Sequence, residues 1–212
     1  IDETDYIKSI QDPYYLHGII TSGGSLANIT ALYCARNKGL MACGISNEEL
    51  VQLGAVAAMN KLGFKDAVIL VSRLAHYSVK KAAALLGLGQ QNLIIIEQDN
   101  HQKIKIDALE QTIAQCREQK RFIIAIIGIA GATETGTVDP LPAIADIAQK
   151  HQIHFHVDAA WGGAFMFSDK YKHKLNGIER ADSITICAHK QMYLAQGISM
   201  CLFKNPRSLF SA

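Results

Sequence analysis

Phe122-Ile-Ile-Ala-Ile-Ile-Gly128 is an apolar run with no polar residue alternating through it. Such a run predicts a strand buried on both faces, as in a parallel sheet covered by helices on either side. Shorter apolar runs recur along the chain, near Ala67 to Val71, Leu93 to Glu97, Ile153 to Val157, Ser183 to Cys187 and Ile198 to Phe203. Amphipathic stretches between them predict helices near Ser25 to Asn37, Asn47 to Leu62, Ser78 to Leu86, Asp107 to Gln119 and Pro142 to His151. The alternation is that of strands and crossover helices, so the expected fold class is α/β, in one layered domain. Binding groups are then expected at the carboxyl ends of the strands.

Composition narrows the function. The 212 residues are 49% hydrophobic and carry a net charge of +2, with Lys and Arg dispersed. That balance argues for small-molecule chemistry and against a nucleic-acid surface or a membrane-binding patch. The apolar runs fall well short of the roughly 20 residues that a membrane span needs. Five Cys, with no C-x-x-C pair, read as reduced thiols and make the cytoplasm the default compartment. Ile1 stands where a native start would have Met, so the chain is expected to be processed or truncated.

Several short constellations sit where strands end. Gly18-Ile-Ile-Thr-Ser-Gly-Gly24-Ser25-Leu-Ala-Asn28 leads from an apolar run through small residues into a helical pattern. Backbone N–H groups at such a helix start suit an anion such as phosphate, and Ser25 adds a hydroxyl. An ordinary strand-to-helix turn with Ser25 as N-cap explains the stretch equally well. Asp158 follows His154-Phe-His-Val157 and precedes Ala159-Ala160-Trp-Gly-Gly163, small residues that let a flat ring approach the backbone. Taken alone, a strand-end Asp is more often a turn residue. His189-Lys190 follows Ser183 to Cys187, where a solvated Lys is the commoner case. His76 follows the run ending at Val71, and Thr133 the run ending at Gly128; turn chemistry accounts for each as readily as a cleft does. Neither the P-loop nor the dinucleotide fingerprint occurs, and no Ser-hydrolase elbow appears. The other His residues have no partner at metal-ligand spacing, so no metal site is expected.

An amine and a carboxylate, each just beyond a buried strand, are what pyridoxal 5'-phosphate requires: Lys190 for the aldehyde and Asp158 for the ring nitrogen. In order and spacing, Thr21 to Asn28, His76, Gly131-Ala-Thr133, His156 to Gly163 and His189-Lys190 resemble the group II pyridoxal-phosphate-dependent amino-acid decarboxylases. The resemblance covers nearly the whole chain. It implies the large domain of a fold-type-I enzyme, with a mixed, mostly parallel seven-stranded sheet between helices. By that similarity Lys190 would form the Schiff base, Asp158 would pair with the ring nitrogen and His76 would stack on the ring. Gly24 and Ser25 match phosphate-binding positions, Thr133 and Ala160 match positions that line the cofactor, and His189 matches the His before the Lys. Leu26 stands where the family usually has Glu or a similar residue, and Cys187-Ala188 where many relatives have Asn-Pro or Asp-Pro.

The expected activity is decarboxylation of an L-amino acid, with a small acidic one, glutamate or aspartate, ranked first. The family's proton donor is usually a Tyr on a loop beyond the Lys, and its later small domain helps to bind the substrate carboxylate. Residues 1–212 are therefore expected to be the cofactor-binding core of a longer polypeptide, and, by analogy, part of a homodimer. Other fold-type-I enzymes, such as an aminotransferase, lyase or desulfurase, use the same Asp and Lys. A noncatalytic α/β binding protein is the remaining alternative.

Overall fold

The computed structural model describes residues 17–211. Seven strands form one sheet: β1 (Gly18–Thr21), β2 (Asp66–Ser72), β3 (Leu93–Ile96), β4 (Arg121–Ile129), β5 (His154–Asp158), β6 (Ser183–Cys187) and β7 (Ser199–Phe203). Their order across the sheet is β1-β7-β6-β5-β4-β2-β3. Strands β3, β2, β4, β5 and β6 are mutually parallel, and β7 runs antiparallel to both β6 and β1. The mixed, mostly parallel sheet between helices is the one expected from the sequence.

Among the described residues five α-helices cover it: α1 (Gly24–Ala42), α2 (Asn47–Lys61), α3 (Ser78–Leu85), α4 (Ile106–Glu118) and α5 (Leu141–His151). Leu32, Leu50, Val79 and Ala82 of α1, α2 and α3 share one buried cluster with Ile69, Val71 and Ile127. Leu109 and Ile113 of α4 and Ile144 of α5 share the other with Val68, Leu70 and Ile126. Alternate residues of β2 thus face opposite helical layers, which is why that strand is apolar throughout. In β4 the pairing with β2 steps from Val68↔Ile123 to Ile69↔Ala125, a bulge that gives Ile124 and Ala125 to the same cluster.

Three elements depart from the sequence expectation. β1 was expected only as an apolar lead into a turn; as a strand of four residues it is held by pairing with β7. α1 runs past Asn37 to Ala42 because Gly39 is a packing residue, not a stop. A Cβ on Gly39 would lie 2.7 Å from Phe122 Cζ, so any larger residue there would have to displace the Phe122 ring. α2 is interrupted at Gly54, whose φ of 73° is helix-incompatible and glycine-favoured.

Candidate active site

The carboxyl ends of β2, β4, β5 and β6 open onto one cleft. Its main volume, about 330 Å³, is lined by Gly24, Ser25, His76, Asp158, Ala160, His189 and Lys190. Thr133, exposed in the loop after β4, lines a smaller recess that continues it and shares His76, Asp158, Ala160 and Lys190. Every site residue expected from the sequence therefore meets in one place. A larger cavity of about 650 Å³, among Lys38, Phe122, His154, Arg180 and Lys204, shares no residue with the cleft. The chemistry-bearing groups lie in the smaller one.

One wall of the cleft is the start of α1. Gly23 precedes the helix in an extended conformation, and no side chain caps it. Ser25 lies inside the first turn, so it is not the N-cap. The first backbone N–H groups of any helix have no partner within it, and here they border the cleft beside the Ser25 hydroxyl. Gly24 seats this turn: a Cβ there would lie 2.7 Å from Cys187 Sγ at the end of β6. Cys187 is buried and accepts a hydrogen bond from Ser199 Oγ at 3.1 Å. Position 187 thus fills space under the turn.

The floor is the end of β5. Asp158 is 6% exposed. Its Oδ1 accepts the Ala160 N–H at 3.0 Å, the turn bond that a strand-end Asp makes, and its Oδ2 accepts Asn28 Nδ2 at 2.9 Å. Among the described residues no Lys or Arg forms an ion pair with it. A carboxylate buried with hydrogen-bond donors but without a counter-ion, at the floor of an open cleft, suits a cationic ligand. The turns that carry these groups are locked by close backbone contact. Gly162 N–H bonds Ala130 O at 3.1 Å, and a Cβ on Gly162 would lie 2.3 Å from that oxygen.

His76 borders the cleft from the segment between β2 and α3, with its ring centroid 4.1 Å from that of Tyr77. Burial lowers its pKa; Asp158 pulls it upward and Lys190 pushes it down. Lys190 is half-buried in the turn after β6, and His189 beside it places Nδ1 3.3 Å from Ile198 O.

The sequence reading gave no role to Asn28, Ser78 or His156, all buried. Asn28 Nδ2 donates to Ser78 Oγ at 3.0 Å as well as to Asp158, and Asn28 Oδ1 lies 3.1 Å from His156 Nε2. Ser78 Oγ lies 2.9 Å from His76 Nδ1. On the far side, Ser183 Oγ lies 2.8 Å from both His156 Nδ1 and His154 Nε2. Burial holds both of these imidazoles well toward the neutral form. His154 and His156 alternate along β5 and so share one face, a signal that local sequence carries, whereas the shared Ser183 comes from β6.

An anion-suited helix start, a floor for a cation and a Lys amine together fit a phosphorylated pyridine aldehyde, and the comparisons with known proteins agree. The model of the pyridoxal-dependent decarboxylase conserved domain matches residues 9–212. An aspartate 1-decarboxylase of Aliivibrio fischeri is 44% identical over 95% of the chain, and the acidic amino acid decarboxylase GADL1 of Xenopus tropicalis is 37% identical over 87%. The chain spans 38% and 33% of the length of these relatives. Among solved structures, the glutamate decarboxylase domain of a Vibrio parahaemolyticus diaminobutyrate-pyruvate transaminase and L-2,4-diaminobutyrate decarboxylase superposes with a TM-score of 0.80 at 33% identity, covering 98% of the chain and 44% of that structure. Mouse CSAD gives 0.77 at 28% identity, covering 98% and 42%. With this fold, this cleft and a match along nearly its whole length, the chain belongs to the pyridoxal-dependent decarboxylase family.

Proposed function

We propose that this chain is the cofactor-binding core of an enzyme that decarboxylates a small acidic L-amino acid, aspartate or glutamate, to the corresponding amine and carbon dioxide. The observation that carries the reading is the convergence of Lys190 with Asp158, a buried carboxylate that has donors but no counter-ion, in one cleft. Acidic substrates are favoured because the relatives at 44% and 37% identity are named for aspartate and for acidic amino acids.

Bound pyridoxal phosphate supplies a carbonyl that condenses with amines and a ring that withdraws the electron pair left when the α-carboxylate departs. The chain's residues do the rest. The N–H groups of the first turn of α1, at Gly24 and Ser25, and the Ser25 hydroxyl bind the phosphate. Asp158 holds a proton on the ring nitrogen, since losing it would leave a buried charge unpaired. His76 would cover a ring face, Thr133 and Ala160 would bound its edges, and His189 would brace the turn that presents Lys190. The Lys190 Nζ would be the amine that holds the cofactor through its carbonyl.

The substrate carboxylate and the proton donor for the α-carbon are assigned to regions outside these residues. A homodimer is in keeping with exposed Ile20, Leu26, Tyr77, Tyr193 and Leu194, all within a few residues of cleft-lining positions. Among the described residues no helix is long and apolar enough to cross a membrane, in keeping with a cytoplasmic enzyme.

The test is borohydride reduction of the full-length protein saturated with cofactor, followed by peptide mapping. A pyridoxyl group on Lys190 is expected; its absence would sink the assignment. An amino-acid panel read for carbon dioxide should respond to aspartate or glutamate. Amino transfer to a keto acid without carbon dioxide would instead favour an aminotransferase.

A further inference from the structure

We propose that Asn28 is a positioning residue that joins Asp158 to His76, holding the first as a hydrogen-bond acceptor and fixing which ring nitrogen of the second carries its hydrogen, so that it acts on the cofactor ring through them. The proposal rests on the pyridoxal phosphate reading above.

Asn28 is 1% exposed, and each polar atom of its carboxamide is used. The orientation of the amide follows from chemistry. A carboxylate can only accept, so the nitrogen of Asn28 faces Asp158 Oδ2, at 2.9 Å. The oxygen then faces His156, 3.1 Å away, and His156 Nε2 must carry a hydrogen. In a neutral ring Nδ1 is left as an acceptor, and the Ser183 hydroxyl, 2.8 Å away, donates to it. Having given its hydrogen, Ser183 Oγ accepts from His154 Nε2 at 2.8 Å. The last atom in this chain, His154 Nδ1, should be a lone pair with no donor. It is one of two buried side-chain polar atoms without a partner among the described residues, as this direction requires. Every bond from His154 to Asp158 therefore points its hydrogen toward the carboxylate, so the donors form one aligned chain.

The second arm leaves the same amide nitrogen. Ser78 Oγ accepts from Asn28 at 3.0 Å, so its own hydrogen goes to His76 Nδ1 at 2.9 Å. His76 Nδ1 also accepts the Ser78 backbone N–H at 3.2 Å. Both donors select the tautomer with its proton on Nε2. One carboxamide thus sets the acceptor under the ring nitrogen and the state of the imidazole beside it.

The experiment compares full-length wild type, Asn28→Leu and Asn28→Ala. Each is titrated with pyridoxal 5'-phosphate and with its 1-deaza analogue, which has a carbon in place of the ring nitrogen; binding is read from the absorption change. Leu keeps the branched shape and heavy-atom count of the Asn side chain, and Ala removes both. Both variants are expected to lose on the order of tenfold in affinity for the natural cofactor and less than about threefold for the analogue. Equal losses with both ligands, or a selective loss in only one variant, would show Asn28 to be a packing residue and overturn the proposal. Wild type that binds neither ligand would sink the pyridoxal phosphate reading itself. If thermal melting shows that neither Asn28 variant folds, the decision passes to Ser183→Ala, a minimal change three hydrogen bonds from Asp158. A selective loss of about threefold supports the directed chain, and no selective loss overturns it.

Discussion

Asn28 Nδ2 on α1 lies 2.9 Å from Asp158 Oδ2 at the end of β5, so the helix that starts at the anion-suited turn also grips the carboxylate on the cleft floor. The two ends of the candidate site are thereby parts of one rigid unit. Separation of helix and strand would strip a buried carboxylate of one of its two donors.

Replacing that carboxylate should separate binding from chemistry. Asp158→Asn keeps the shape and removes the charge that, on the proposed function, would hold a proton on the ring nitrogen. Turnover is expected to fall about a hundredfold or more, with a smaller loss of cofactor affinity. Steady-state kinetics beside a cofactor titration checks this. Unchanged turnover would remove Asp158 from the mechanism.

Gly24 and Cys187 should be energetically coupled. Gly24→Ala places a Cβ 2.7 Å from Cys187 Sγ and is expected to cost about 1–3 kcal/mol. In a Cys187→Ala background the cost should shrink, because the obstructing sulfur is gone. Urea denaturation of the four proteins in the cycle measures it, and additive effects would contradict the packing account.

Gly162→Ala should be harsher, since the added Cβ would lie 2.3 Å from Ala130 O, a backbone atom that cannot swing aside. A cost of about 3 kcal/mol or more is expected, visible as a lowered melting temperature. Tolerance of the substitution would mean that the two turns are not locked together.

Stability should fall on mild acidification. His154 and His156 have folded-state pKa values pushed below 6.5 by burial, to about 4 for His156. Their contribution is complete above pH 6.5 and is lost as the pH falls through the folded value. Asp139 has the opposite sign. Burial raises it to about 6 despite N–H donors from Ile104 and Ile129, so its contribution is complete below about pH 3.8 and is lost as the pH rises through about 6. Two imidazoles against one carboxyl leave a net loss between pH 6.5 and 4, each group contributing up to about 1.4 kcal/mol per pH unit. His156→Asn should flatten the fall and Asp139→Asn should steepen it. Denaturant midpoints at a series of pH values decide the matter, and a wild-type profile rising toward pH 4 would refute the account.

Much of the fold was legible because it rests on local pattern. Ser183–Cys187 was bounded at both ends, and Asn47, Ser78 and His151 were placed at helix termini, since apolar periodicity and flanking polar residues mark these points within a few positions. β1 was not legible as a strand. Four residues are too short for a period, and their strand character comes from β7, distant in sequence. The last turn of α1, from Lys38 to Ala42, lay beyond the expected helix, and the contact of Gly39 with Phe122 is distant in sequence.

The site divides in the same way. By itself the sequence determined the α/β class and the order of Gly24, Ser25, His76, Thr133, Asp158, Ala160, His189 and Lys190 after successive strands, because those follow from spacing along the chain. Only the tertiary structure decided that Asp158 is buried without a counter-ion and that Asn28, Ser78, His156 and Ser183 wire it to its neighbours. Such hydrogen bonds join residues up to 130 positions apart. Their geometry depends on how α1 lies across the sheet, and no local periodicity encodes that.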